Sequence, residues 1–98
     1  MRTYQIAADQ TLAANAPDIP HRAARTYLRI QNVDAADDCY VGDQSVATTG
    51  QVLGRETAGA MRGTGGFITL EGPHAARPFW LYSSGAGVNT AVVNIMED

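Results

Sequence analysis

The sequence predicts a small all-β protein built from antiparallel strands, either a β-sandwich or a jelly-roll-like barrel. Short apolar runs recur at intervals of about 8–12 residues, with glycine, aspartate and proline between them. The sequence has no amphipathic stretch that would supply the helices of an α/β fold. Its 98 residues are enough for one domain with one small core.

The strands follow from local patterns of apolar residues. The clearest covers residues 26–32, where Leu28 and Ile30 alternate with Arg29 and Gln31, so that one face would be buried. Residues 3–6 are compatible with a short strand, and residues 56–61 are given no element because glycines surround them. Further strands are predicted at residues 39–41, 46–52, 67–70, 79–82 and 88–96.

The first part of the chain differs from the rest in composition. Residues 7–25 are rich in alanine, and Pro17 and Pro20 block the continuation of a helix or of a central strand. Such a segment either lies loosely on the surface or packs as an extended arm on its own domain or on a neighbour. We therefore predict an N-terminal arm over residues 1–25 and a single β domain over residues 26–98.

Two of the predicted strands are apolar on both faces. In residues 79–82 every side chain is apolar or aromatic, and in the last strand Val93 and Ile95 face one way while Val92 and Met96 face the other. The second face must be covered by the opposing sheet, by the arm or by another chain. Because a domain of this size buries only roughly 60–65% of its unfolded surface, we expect a homo-oligomer.

The composition argues against several classes of function. Seven arginines, no lysine and ten carboxylates give a formal charge of −3, which disfavours nucleic acid as a partner. No apolar run is long enough for a signal peptide or a membrane span, so we expect synthesis in the cytoplasm and no membrane partner. Cys39 is the single cysteine, so an intrachain disulfide is excluded.

The reactive residues form no recognisable catalytic or metal-binding pattern. His21 and His74 have no second ligand at metal spacing, and the acidic stretch at residues 34–43 does not match a calcium loop. No serine sits in a nucleophile elbow, and Cys39 lies within an apolar strand. The glycine-rich residues 63–66 precede a strand instead of opening a helix, which argues against a phosphate loop. We therefore expect a non-enzymatic protein with no cofactor and no metal.

A series of motifs spans nearly the whole chain. An alanine- and asparagine-rich lead-in at residues 12–16 precedes the pattern Arg-x-x-Leu-x-Ile-Gln-Asn at residues 25–32, and Tyr-Val-Gly follows at residues 40–42. After glycine-rich turns comes a closing strand that ends in the acidic residues 97 and 98. This order of motifs resembles that of small virion proteins of tailed bacteriophages. It departs from the usual Leu-x-x-Gly pattern at residues 52–55, where Val-Leu-Gly runs straight into arginine.

The resemblance implies a protein that binds the exterior of the capsid and cements neighbouring capsid subunits. It implies the major capsid protein as partner, a location on the virion surface and a homo-oligomer, with a trimer favoured. One alternative is a neck or tail connector with the same fold. Another is a small carbohydrate- or receptor-binding module, in which Trp80, Tyr82, Tyr27 and Tyr40 would be the stacking residues.

Under the capsid-binding hypothesis, the arm and the strand next to it contact the partner. Arg22, Arg25 and Arg29 form a small basic cluster, and the planar guanidinium favours pairing with carboxylates at interfaces. A solvated edge is the alternative for this cluster. The candidate interface residues are Tyr4, Ile6, Leu12, Ile19, Arg22, Arg25, Arg29, Trp80 and Tyr82.

Overall fold

Strands dominate the described part of the chain. A computed structural model describes residues 1–8, 17–34, 36–43, 46, 50–56, 65–83 and 91–98. A short 3-10 helix runs over Gly72–Ala76, and none of the helices in these ranges is long and apolar enough to cross a membrane. The strands are β1 (Arg2–Ala8), β2 (Tyr27–Asn32), β3 (Cys39–Gly42), β4 (Gln51–Leu53), β5 (Phe67–Glu71), β6 (Trp80–Ser83) and β7 (Ala91–Glu97).

These strands form two antiparallel sheets that enclose one core. The larger sheet has the order β1-β7-β2-β5, and the smaller has the order β4-β3-β6. The core draws buried residues from both sheets, including Ile30 and Ile95 from the larger and Val41 and Leu81 from the smaller. The prediction of a small antiparallel all-β fold is confirmed, and the arrangement of the two sheets is sandwich-like.

Alternation along the strands decides which side chains enter the core. In β7 every second residue from Ala91 to Glu97 is buried, and in β2 Leu28 and Ile30 are fully buried while Arg29 is half-buried. Ile30 and Ile95 lie directly opposite each other in the larger sheet. Burying each large aliphatic side chain contributes about 1.5–3 kcal/mol, so the strand pattern predicted for residues 26–32 carries a large share of the stability.

The structure revises the predicted boundary between arm and domain. Residues 2–8 form β1, which pairs along its whole length with β7, so this part of the predicted arm belongs to the larger sheet. Ile19 is fully buried and forms a two-way backbone bridge with Phe79, with N–O distances of 3.0 and 2.9 Å. These bonds fix the described parts of residues 1–25 to the common core. Residues 9–16 of the predicted arm lie outside the described residues.

Two further predicted strands are described only in part. Of the strand predicted at residues 46–52, Gln51 and Val52 lie in β4, whereas Val46 forms local turn hydrogen bonds with Asp43 and Gly50, both at 3.0 Å. Residues 47–49 lie outside the described residues. The strand predicted at residues 88–96 is observed as β7, which begins at Ala91. Residues 84–90 and 57–64 lie outside the described residues.

Candidate functional site

The outer face of the smaller sheet carries a row of apolar side chains. Val52 of β4, Tyr40 of β3 and Tyr82 of β6 lie opposite one another in register, and Trp80 lies opposite Gly42. The ring centroids of Tyr40 and Tyr82 are 6.0 Å apart. Val52 is 49% exposed, and the three aromatic residues are half-buried. We call Val52, Tyr40, Tyr82 and Trp80 the aromatic strip.

Strand alternation places the aromatic strip outside the core. Cys39 and Val41 of β3 and Leu81 of β6 point inward and are buried, so the residues between them must face outward. Large aromatic side chains bring much apolar area and a polar edge at a low cost in rotamer entropy, and Tyr and Trp are enriched in protein interfaces. The aromatic strip is therefore a candidate contact surface.

The outer face of the larger sheet presents a second apolar feature at its edge. Phe67 of β5 is 57% exposed, and the guanidinium of Arg29 lies 4.5 Å from the centroid of its ring. Met96 of β7 lies opposite Arg29 and is half-buried. Within the described part of the chain, the Arg29 Nε atom is buried and has no hydrogen-bond partner. The apolar second face predicted at Val92 and Met96 does lie outside the core.

A cleft of about 150 Å³ opens beside β1 at one end of the larger sheet. We call it the arginine cleft; its lining residues are Arg2, Tyr4, Pro20, His21, Arg22, Arg25 and Glu97. The Glu97 side chain is 3% exposed, and Arg22 and Arg25 donate to its carboxylate at 2.5 and 3.2 Å. Arg2 lies 3.5 Å from the same carboxylate, and the Tyr4 hydroxyl donates to it at 3.4 Å. One buried carboxylate therefore collects four donor groups from distant parts of the chain.

Arg25 is the inner wall of this cleft. Its side chain is 2% exposed, and besides Glu97 it donates to the backbone carbonyls of Ala75, Pro20 and Arg77 at 2.5, 3.2 and 2.9 Å. A buried charge is tolerated only when it is paired and hydrogen-bonded in this way. Arg25 is therefore a structural residue that ties the segment after Ile19 to the end of β7.

The outer wall of the cleft is much more open to solvent. The side chains of Arg2 and Arg22 are 66% and 52% exposed. The Arg2 guanidinium also stacks over the Tyr4 ring, 4.7 Å from its centroid. Burial, and after it the negative charge of Glu97, raises the pKa of Tyr4 above its ordinary value, so its hydroxyl stays a donor at neutral pH.

The structure corrects part of the predicted interface. Ile19 is fully buried in the core and Arg25 is held in its internal network, so neither side chain is available to a partner. Ile6 faces inward from β1 and packs, half-buried, against the core. Leu12 lies outside the described residues. Packing against the chain's own sheets, which no local pattern reveals, accounts for the positions of Ile19, Arg25 and Ile6.

The remaining predicted residues lie on three separate surfaces. Trp80 and Tyr82 belong to the aromatic strip, Tyr4 and Arg22 line the arginine cleft, and Arg29 lies on the outer face of the larger sheet. The basic cluster predicted from Arg22, Arg25 and Arg29 is therefore divided, because only the first two of these residues meet.

Sequence reasoning missed three residues that shape these surfaces. Glu97 follows Val93 and Ile95 at a spacing of two, so the alternation of the last strand already points it inward. The partners that make such burial acceptable come from elsewhere in the fold. Val52 and Phe67 lie in strands that the sequence predicts, but no local signal indicates that these two side chains face the solvent.

Two observations concern metal ligands and thiol chemistry among the described residues. They include no group of three or more histidine, cysteine, aspartate and glutamate residues that could hold a metal ion. Burial raises the pKa of the Cys39 thiol to about 12, so at neutral pH this sulfur is a protonated, weakly reactive group.

No protein-family model, curated protein or solved structure matches the chain. What can be inferred about its function therefore comes from its surfaces and from the order of its sequence motifs.

Proposed function

We propose that this chain is a non-enzymatic structural protein of a tailed-bacteriophage virion, which binds the capsid exterior and holds neighbouring capsid subunits together. The observation that carries the proposal is the aromatic strip, in which four apolar side chains from three adjacent strands face away from the core. A small domain gains burial when it covers such a strip with another protein. The virion context is supported by the motif resemblance of residues 25–32 and 40–42.

The expected interface extends beyond the aromatic strip. Specific interfaces cover about 800 Å² of each partner, which is roughly a seventh of the 5598 Å² accessible surface of the chain. Between Cα positions the strip spans only about 10 by 7 Å, because it crosses three strands about 4.8 Å apart and extends two residues of about 3.3 Å along β6. The bridge between Ile19 and Phe79 places the start of β6 beside the segment that leads into the arginine cleft. We therefore expect the partner surface to extend from the aromatic strip towards this segment.

Binding to purified heads of the phage that carries the gene tests the proposal. The labelled full chain is sedimented with the heads, and the bound fraction is measured against concentration. We compare Val52→Asp, which places a charge in the aromatic strip, with Gln51→Asp, which places the same charge at the preceding exposed position of β4. We expect Val52→Asp to weaken binding about tenfold or more, because a charge is buried in an apolar contact, and Gln51→Asp to bind nearly as wild type does.

Four results would contradict parts of this proposal. Absence of binding to the heads would remove the capsid role, and equal binding by both variants would remove the aromatic strip from the interface. Counting copies per particle separates decoration, which places the chain at many capsid positions, from a neck or tail connector, which forms a single ring. A monomer by light scattering at all concentrations would contradict the expected trimer.

Carbohydrate binding is the second candidate function, and the Tyr40–Tyr82 ring pair favours it. Sugar rings stack on aromatic faces, and Trp80 lies on the same surface. Tyr27 is in β2 of the larger sheet and cannot join this platform. If a glycan protects the Trp80 fluorescence from acrylamide quenching and the heads do not, the carbohydrate-binding function is supported over the capsid role.

A further inference from the structure

The arginine cleft holds more positive than negative charge. Arg2, Arg22 and Arg25 line it, and Glu97 is the one carboxylate among its described lining residues. The local balance is therefore opposite in sign to the formal charge of −3 on the whole chain. Two carboxylate oxygens cannot accept all the N–H groups of three guanidiniums, each of which has five.

The surplus donors belong to the two exposed arginines. The Arg25 guanidinium donates its N–H groups to three backbone carbonyls and to Glu97. Among the described residues, the Arg22 guanidinium contacts Glu97 through Nη1 alone, and Arg2 contacts Glu97 through Nη1 at 3.5 Å while stacking over Tyr4. Both arginines therefore retain N–H groups for a ligand that enters from solvent.

The size and charge of the cleft select a small anion. Its volume of about 150 Å³ holds a side-chain carboxylate and lies below the range of about 300–1,000 Å³ that small-molecule sites occupy. An acidic chain repels a polyanion such as nucleic acid. The paired N–H groups of arginine match the two oxygens of a carboxylate.

We infer that the arginine cleft binds the carboxylate of an aspartate or glutamate side chain on a protein partner. Glu97 and Tyr4 hold the two exposed guanidiniums close to the position where this carboxylate enters. Preorganised donors lose less side-chain entropy on binding than free surface arginines do. The inference rests on the proposed function only for the identity of the partner, because carboxylate binding is measurable on the chain alone.

The test is an NMR titration of the purified full chain, which follows the backbone amides and the arginine Nε–H signals. The probes are N-acetyl-glutamate N-methylamide, the corresponding glutamine compound and inorganic phosphate. Arg2→Gln and Arg22→Gln each remove one exposed guanidinium from the cleft. Arg55→Gln is the matched control, because the Arg55 side chain is 51% exposed, carries the same charge and lies outside the cleft lining.

We expect the glutamate compound to cause saturable shifts at the cleft residues and the glutamine compound to cause none. Arg2→Gln and Arg22→Gln should each weaken this binding about tenfold, the usual effect of losing a charge-assisted hydrogen bond, whereas Arg55→Gln should leave it unchanged. The inference is overturned if no shift saturates up to roughly 50 mM probe, if the Arg55 variant weakens binding equally, or if phosphate binds more tightly than the carboxylate.

Binding of the same variants to phage heads separates this inference from the proposed function. If Arg22→Gln loses both carboxylate and head binding while Arg55→Gln keeps both, the cleft is the site that binds an acidic side chain of the capsid. If Arg22→Gln binds heads as wild type does, the assignment of the carboxylate to that partner is wrong and the capsid role stands. If neither the wild type nor any variant binds heads, the capsid role fails. The NMR titration with the glutamate compound still decides whether the cleft binds a carboxylate.

Discussion

Replacement of Glu97 by glutamine is the most informative perturbation of this fold. The Glu97 side chain is 3% exposed and pairs with Arg25, which is 2% exposed, so Glu97→Gln leaves a buried guanidinium without its counter-charge. Removing one partner of a buried ion pair costs about 3–5 kcal/mol. The pairs with the exposed Arg2 and Arg22 add at most about 1 kcal/mol each, because solvent screens them.

A loss of this size is large for a domain of 98 residues. Total stabilities of such domains are about 5–15 kcal/mol, and each kcal/mol shifts Tm by about 4–8 °C. A loss of about 3 kcal/mol therefore predicts a fall in Tm of about 12–24 °C for Glu97→Gln. Circular dichroism melts and urea titrations at neutral pH measure both quantities.

The control is Glu71→Gln, which makes the same chemical change at an exposed position of β5. We expect this variant to stay within about 0.5 kcal/mol of wild type. A double-mutant cycle with Arg25→Met then gives the coupling between the two charges, which should exceed about 1 kcal/mol. The reasoning is refuted if Glu97→Gln melts together with the control, or if the two replacements have additive effects.

Three further predictions concern the interior. Asn32→Leu should lower the free energy of unfolding by about 2–3 kcal/mol in urea titrations, because the buried amide donates to the carbonyls of Asp37 and Leu53 at 2.9 Å each. A variant as stable as wild type would show that these hydrogen bonds contribute nothing to stability. Gly65→Ala should cost about 1–3 kcal/mol in the same assay, because a Cβ there would overlap the backbone oxygen of Asn32, and unchanged stability would contradict that close approach. Burial raises the pKa of the Cys39 thiol in the folded state from 9.0 to about 12. The unfolded chain therefore loses this proton first, and the free energy of unfolding should fall as pH rises from 9 towards 12. If Cys39→Ala shows the same fall, the pH dependence belongs to other groups.

The two proposed contact regions differ in chemistry. The aromatic strip offers apolar area and the arginine cleft offers a charged contact, and the segment after Ile19 connects the two regions. An interface that uses both would combine a desolvated aromatic centre with a polar, orientation-fixing contact, which is the usual anatomy of specific protein interfaces. The Val52 and Arg22 variants test the two contributions separately.

Much of the fold could be predicted from the sequence because strand formation is signalled locally. The alternation of Leu28 and Ile30 with polar neighbours, and that of Val93 and Ile95 in the last strand, identified strands whose buried faces are observed. The predicted arm differs from the structure at residues 2–8 and Ile19 because no local pattern there signals burial. Their burial depends on β7 and Phe79, which lie far along the chain.

The sequence by itself determined that this protein is built of short antiparallel strands with one small core, since side-chain alternation is a property of consecutive residues. Only the tertiary structure decided which surplus apolar residues face the solvent and which charges meet. Glu97 lies 75 positions from Arg22 and 72 from Arg25, and the sheet order β1-β7-β2 brings the two ends of the chain together around it. Strand pairing over such separations depends on the register and packing of the whole chain, so no local pattern specifies it.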